Sequence, residues 1–365
     1  MIVFIIIIII IIIIIIIIII IIIIIIIIII IIIIIDCIII LNESHNDTDI
    51  FWENHVVYDE WWTVFSGHGV DEKSLVTLLG KWDPLERESF RKKTPHLFTE
   101  DHERHFQRWD DHYVHLLKHE FVRFKNAVVL WSMHPWERDA RLVREALKKG
   151  QNAYGVLVEV ACTRSSEELL GARKAYHSLF DHSIEEDVAS HIHSIERKLL
   201  IALLSAYRYE GSKVKDDTAK SEAKVLSNAI KNAHKKPINE DDEVIRILST
   251  RSKLHLQAVY KHYNEISGKN LDEDLDDLRF KETVQCLCIP QIYFSKVLNA
   301  ALRIDVDKNT KKSLTRVIVT RAEIDMKEIK AEYHNLYGVS LPQKVEEVAR
   351  GNYKDFLLNL IVRGG

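Results

Sequence analysis

A nine-residue pattern that occurs three times along the chain constrains its fold more than any single motif. Leu157-Val158-Glu159-Val160-Ala161-Cys162-Thr163-Arg164-Ser165 returns as Val244-Ile245-Arg246-Ile247-Leu248-Ser249-Thr250-Arg251-Ser252, and again as Leu314-Thr315-Arg316-Val317-Ile318-Val319-Thr320-Arg321-Ala322. Each copy reads as a short amphipathic helix ending in Thr-Arg. A second helical pattern closing on an aromatic follows each one: Ala172 to Tyr176, His255 to Tyr260, Ile329 to Tyr333. Leu75 to Leu79 and Phe90 hold the same places in an earlier unit, with Trp82 where the other copies have Arg. The spacings are 82, 87 and 70 residues, longer than most solenoid repeats, and predict a small multi-helix bundle repeated four times. Gly and Pro are scarce across these periodic stretches, so the fold class is all-α.

The N-terminus is of another kind. Ile5 through Ile35 are all isoleucine, followed by Asp36, Cys37 and three more isoleucines. As a helix the tract would span about 45 Å at ~1.5 Å per residue, long enough to cross a ~30 Å hydrocarbon core. No Lys or Arg precedes Lys73, so a basic flank and a charged leader region are both missing. Residues 1–40 are therefore a low-complexity poly-Ile segment, either translated repetitive DNA or a membrane anchor. The first 72 residues hold nine acids and no bases, leaving 49 bases against 44 acids in the rest. That excess favours approach to anionic lipid and is too small and dispersed for nucleic acid. Four cysteines, Cys37, Cys162, Cys286 and Cys288, are too few for a disulfide scaffold and fit a reducing cytosol.

One loop carries candidate chemistry. Phe65-Ser66-Gly67-His68-Gly69-Val70-Asp71-Glu72 joins two helical patterns, and its paired glycines allow φ > 0, turning carbonyl oxygens inward. Carbonyls of Phe65, Gly67 and Gly69 with a bidentate Glu120 would give Ca2+ five oxygens and leave one or two positions for water or a lipid phosphate. His119 competes with Glu120 for the closing position, but only a carboxylate supplies hard anionic oxygens. Taken alone, the same loop is an ordinary helix-helix turn, with Asp71 and Glu72 capping the next helix.

The loop within four helical repeats resembles the annexin family, and plant annexins most of all. The run Trp131-Ser132-Met133-His134-Pro135-Trp136-Glu137-Arg138-Asp139-Ala140, the tripeptide Lys174-Ala175-Tyr176, and the terminal Gly351-Asn352-Tyr353-Lys354-Asp355-Phe356-Leu357-Leu358 add to the likeness, which covers roughly Tyr58 to Arg363. It implies a curved disc of four repeats of about five helices each, at residues 55–134, 135–210, 218–289 and 290–363. It also implies calcium-dependent binding of anionic phospholipid membranes through Phe65, Gly67, Gly69 and Glu120, without enzymatic activity. The protein would be cytoplasmic, and peripheral on plasma membrane or endomembranes when calcium rises. Self-association and actin binding are further implied partners, the latter through Ile245-Arg246-Ile247, which fits an amphipathic helix first. Cys162 and Cys286 resemble the redox pair of some plant annexins, though buried inert thiols are the commoner state of such apolar contexts.

The other three repeats depart from the pattern. The second has Lys148-Lys149-Gly150-Gln151-Asn152-Ala153, with Ser190 and His191 near the closing position. The third has Lys235-Lys236-Pro237-Ile238-Asn239-Glu240, with Asp274, Asp276 and Asp277 as a solvated acidic helix end or a loose calcium site. The fourth, Asp305-Val306-Asp307-Lys308-Asn309-Thr310, starts like an EF-hand but lacks its glycine at Thr310 and its glutamate at Arg316. One intact site of four predicts weak calcium affinity, since such attachment gains strength from several bridges. Two competing functions remain: a calcium-independent scaffold binding protein partners, and a zinc or redox enzyme using the cysteines and the histidines His112, His115 and His119 at helical spacing near His102 and His105. The second lacks a His-Glu-x-x-His signature, and nucleotide hydrolysis lacks a phosphate-cradling loop.

Overall fold

The Thr-Arg-Ser ending of the repeated segment has a separate structural task for each residue. In the computed structural model, residues 76, 80–95, 97–111, 114, 123–150, 154–193, 197–205, 207–234 and 237–363 are described. All belong to one unit, Glu72–Gly365. The poly-Ile tract lies outside them.

Five helices run from α3 (Pro135–Lys149) through α4 (Tyr154–Thr163), α5 (Ser166–Phe180) and α6 (Ile184–His191) to α7 (Arg197–Leu204), preceded by α1 (Pro84–Lys93) and α2 (Arg123–Ser132). The order returns as α8 (Asp216–Lys231), α9 (Asp242–Thr250), α10 (Lys253–Ser267) and α11 (Leu278–Cys288). It returns again as α12 (Pro290–Ala301), α13 (Lys308–Arg321), α14 (Met326–Tyr337), α15 (Leu341–Val348) and α16 (Gly351–Arg363). The repeated nine-residue segment falls on α4, α9 and α13, and the aromatic-closing pattern on α5, α10 and α14. In each unit the first helix packs along the third: α3 on α5, α8 on α10, α12 on α14.

Thr163, Thr250 and Thr320 each donate a hydroxyl hydrogen bond to the carbonyl four residues back, closing their own helix end. Arg164 reaches back to α3 and holds the buried Asp139 carboxylate through two N–H donors at 2.6 and 2.8 Å. Arg251 does the same to Glu222 of α8, its Nε lying 2.9 and 3.2 Å from the two carboxylate oxygens. In the last unit the corresponding first-helix residue is Phe294. Arg321 stacks on its ring at 4.8 Å and takes its carboxylate from Asp325, at 2.7 and 2.8 Å. Ser165 and Ser252 then cap α5 and α10, accepting the N–H of Glu168 and His255. Trp82 stands at this register in the earliest unit, buried, its carbonyl accepting from Arg87, whose guanidinium lies 3.9 Å over Trp131 and pairs with Glu323.

Two segments depart from a purely helical reading. Phe98–Asp101 and Phe106–Trp109 form an antiparallel hairpin, Phe98 opposite Trp109, between α1 and α2. Its apolar residues Phe98, Phe106 and Trp109 are buried, and the Trp109 N–H donates to the fully buried Glu137 of α3 at 3.0 Å. Burial raises the Glu137 pKa, opposed by the Arg141 charge. A turn replaces a fourth helix between α10 and α11, where Leu271 and Leu275 are buried and Asp272 accepts from Gln285 at 2.6 Å. The last helix is tied to residues near the start of the described part: Arg363 of α16 donates to the Gly80 carbonyl at 3.1 Å, and Asn359 to that of Val76 at 3.4 Å.

Gly171 of α5 lets Trp136 of α3 lie flat against the helix backbone, and a Cβ there would fall 2.1 to 2.2 Å from the indole. Gly171→Ala is expected to cost about 1–3 kcal/mol by overpacking, seen in denaturant unfolding; an unchanged midpoint would contradict this contact. His134 accepts the Trp136 N–H through Nδ1, and burial followed by the Arg91 and Arg138 charges pushes its pKa down to about 3. An unfolded histidine binds a proton below about pH 6.5 and this one does not. Folded stability is therefore full above that pH and falls with acidification, by up to about 1.4 kcal/mol per unit from this residue. His134→Asn, which keeps an accepting cap and cannot titrate, should show a flatter stability profile between pH 6.5 and 4 than the wild type, measured by denaturant titrations at each pH.

Candidate functional site

Phe65, Gly67, Gly69 and Glu120, the expected calcium ligands, lie outside the described residues, as do His112, His115 and His119. The corresponding loops of the later units are described in part, and several of their polar groups are engaged within the fold. Gly150 ends α3 at φ +62°, its N–H returned to the Leu147 carbonyl. Ser190 donates to the Asp187 carbonyl at 3.0 Å and His191 Nδ1 lies 2.8 Å from the same oxygen, so both close the end of α6.

In the third unit, Ile238–Glu240 form a 3-10 turn after Pro237, and Asp241 caps α9 by accepting from Glu243. The three acids that follow α10 do not converge. Asp274 accepts the Tyr263 hydroxyl at 2.9 Å and faces Lys269 at 3.4 Å, Asp277 caps α11 by accepting from Phe280, and Asp276 is exposed. In the fourth unit Asp307 caps α13, accepting from the N–H of Asn309 and Thr310 at 2.8 and 3.1 Å. These bonds hold its pKa below the usual carboxylate range, with Thr310 contributing most. The residues an EF-hand would use as a loop are here the helix Lys308–Arg321. Among the described residues no three His, Cys, Asp or Glu side chains gather where they could hold a metal ion.

The built polar feature lies elsewhere. Glu159 of α4 and Arg316 of α13, 157 residues apart, form a bidentate pair with both N–H···O distances at 2.7 Å. Their side chains are only 4% and 13% exposed. Burial lowers the Arg316 pKa, but the charge and hydrogen bonds of Glu159, with Tyr293, together outweigh it and the net direction is upward. A cavity of about 710 Å³ and another of about 370 Å³ meet at this pair, sharing Lys149, Val156, Lys312 and Arg316 in their linings. Glu282 and Tyr293 face the smaller one, and burial raises the pKa of both.

This pair was not singled out from the sequence, although a signal exists. Glu159, Arg246 and Arg316 occupy the same register in the three repeated segments, each a charge among apolar residues. Arg246 finds Glu222 and Glu243, while Ile245 and Ile247 beside it are buried, so this tripeptide is an amphipathic helix in place. Cys162 and Cys286 are buried next to one another, and burial first, then the neighbouring Cys162, raises the Cys286 pKa well above the ordinary thiol value. Such thiols are poorly nucleophilic. Cys288 is pushed up to about 12 by burial.

The annexin family profile matches residues 138–203, 222–278 and 293–360, which take in the first helices, the repeated segments and most of the arginine-carboxylate links just described. The chain belongs to the annexin family. Annexin D4 of Arabidopsis thaliana is 58% identical over 298 residues, covering 81% of this chain and 93% of that one. Annexin-like protein RJ4 of Fragaria ananassa is 40% identical, covering 81% and 91%. Among solved structures, annexin III superposes with a TM-score of 0.66 at 25% identity, covering 81% of this chain and 89% of that one. No helix among the described residues is long and apolar enough to cross a membrane.

Breaking the annexin core pair from one side isolates a buried charge. Arg316→Met is expected to destabilise by about 3–5 kcal/mol, and the double variant Glu159→Gln/Arg316→Met by clearly less, because no unpaired carboxylate is then left inside. Denaturant unfolding of the four-member cycle measures this; additive losses would show that the two side chains act separately.

Proposed function

We propose that this annexin binds anionic phospholipid membranes in a calcium-dependent manner, through the first-unit loop alone. Annexins generally bind calcium and phospholipid, and are mostly membrane-binding proteins rather than enzymes. Carbonyls of Phe65, Gly67 and Gly69 would hold Ca2+ together with the Glu120 carboxylate, leaving a position for a headgroup phosphate. The repeat limits we propose are those of the sequence pattern, 55–134, 135–210, 218–289 and 290–363.

The observation that carries the single-site reading is the use of donors in the other three loops. Asp277 and Asp307 cap helices, Asp274 serves Tyr263 and Lys269, and Ser190 and His191 close on the Asp187 carbonyl. A calcium ion needs six to eight oxygens with several anionic ones, and drawing these groups away would undo the local fold. With one bridge in place of four, avidity is low and the calcium requirement high. Cytoplasmic residence with peripheral, calcium-raised attachment to plasma membrane or endomembranes follows from this mode of binding. Self-association would restore avidity, and a role in stress response would draw on elevated calcium.

Sedimentation with phosphatidylserine-containing vesicles over a calcium series tests this. Half-maximal binding should need high calcium and move upward by at least about tenfold in Glu120→Ala, the loss expected on removing a bidentate ligand. Tight binding in chelator, unchanged by Glu120→Ala, would instead support a calcium-independent scaffold.

A further inference from the structure

The larger cavity beside Arg316 has a lining unlike that of a cation site. One wall is apolar, made by Val129, Leu130 and Met133 at the end of α2, Leu142 and Ala146 of α3, and Val306. The rest of the lining is mostly basic: Lys308, Lys311 and Lys312 stand on the first turns of α13, and Lys149 at the end of α3. Glu145 is the only acid in the lining, and Lys149 lies 3.6 Å from it. Arg141 is held by Glu137 and Asp111, and Arg316 by Glu159. Lys308 and Lys311 have no side-chain hydrogen bond or ion pair with another described residue. Asp307, the nearest acid in sequence, is turned back into its own helix cap.

A cavity of this kind, about 710 Å³ with a largely apolar lining and the ammonium groups of Lys308 and Lys311 beside it, meets the requirements of a small-molecule site. A purely polar anion would leave the apolar wall unused, and a neutral lipid would leave the lysines without a partner. We propose that the cavity binds a single-chain anionic amphiphile, with its acyl chain against Leu130, Met133 and Val306 and its carboxylate or phosphate on Lys308 and Lys311. The site is assigned on residues of α2, α3 and α13 with Val306, and needs no calcium. Its test is therefore run in chelator, where the proposed membrane attachment is silent.

Displacement of a fluorescent fatty-acid probe, below the critical micelle concentration, reads binding by oleate and by 1-oleoyl lysophosphatidate. Saturable one-to-one binding is expected, at least about tenfold tighter than that of neutral monoolein. The double variant Lys308→Gln/Lys311→Gln changes two side chains that form no hydrogen bond or ion pair with another described residue and keeps most of their length. It should keep the wild-type melting temperature, bring anion affinity down about tenfold to the monoolein level, and leave monoolein itself unaffected. Val306→Trp, with its melting temperature retained, should abolish binding of all three by filling the cavity. No saturable binding would overturn the proposal, as would equal affinity for monoolein, full competition by inorganic phosphate, or undiminished anion binding in the lysine double variant.

Discussion

The fold depends on one interaction that recurs in altered form: an arginine at the end of the second helix of a unit, held against its surroundings by a carboxylate. Arg164 to Asp139 and Arg251 to Glu222 fasten second helix to first, and Arg321 reaches Asp325 while stacking on Phe294. Two charges removed from water stabilise little by themselves, and their geometry matters more than their energy. A planar guanidinium accepts a carboxylate in few orientations, so each link sets the rotation of one helix about another. The apolar faces then pack in a single register. Where the arginine is missing, Trp82 fills the place and Arg87 supplies the charge from the next helix, reaching Glu323 in the last unit.

The same economy decides where ligand chemistry can reside. Asp241, Asp277 and Asp307 in the loops of the later units already satisfy helix amides, and Asp274 a tyrosine hydroxyl, and a group with its lone pairs engaged is a poor metal ligand without local rearrangement. Lys308 and Lys311, which form no ion pair with another described residue, stand on the first turns of α13 beside a cavity with a largely apolar lining. Lys149 and Lys308 stand close to the loop positions where the first unit keeps glycines.

Much of the architecture was legible in the chain because helical spacing, Thr-Arg endings and aromatic closures repeat in phase. A period that long has few solutions other than a repeated bundle. The hairpin at Phe98–Trp109 was less legible. Its strands are four residues each, and its pairing is fixed by the long-range bond from Trp109 to Glu137, which no local pattern announces. The missing fourth helix between α10 and α11 was equally hidden, since Asp272 and Leu271 are drawn inward by Gln285 and the core rather than by local propensity.

The sequence by itself determined the family, the all-helical units, their phase, and the loss of the glycine-paired loop from three of four places, because each rests on residues close together along the chain. Only the tertiary structure decided which charges meet. Glu159 and Arg316 are 157 residues apart, and nothing in either segment says that the other will face it. Nor could linear order show that Lys308 and Lys311 would line one cavity with Leu130. Such juxtapositions arise when units that are similar in sequence pack against one another, and burial then forces each charge to find its partner or to remain at the edge of a space a ligand can enter.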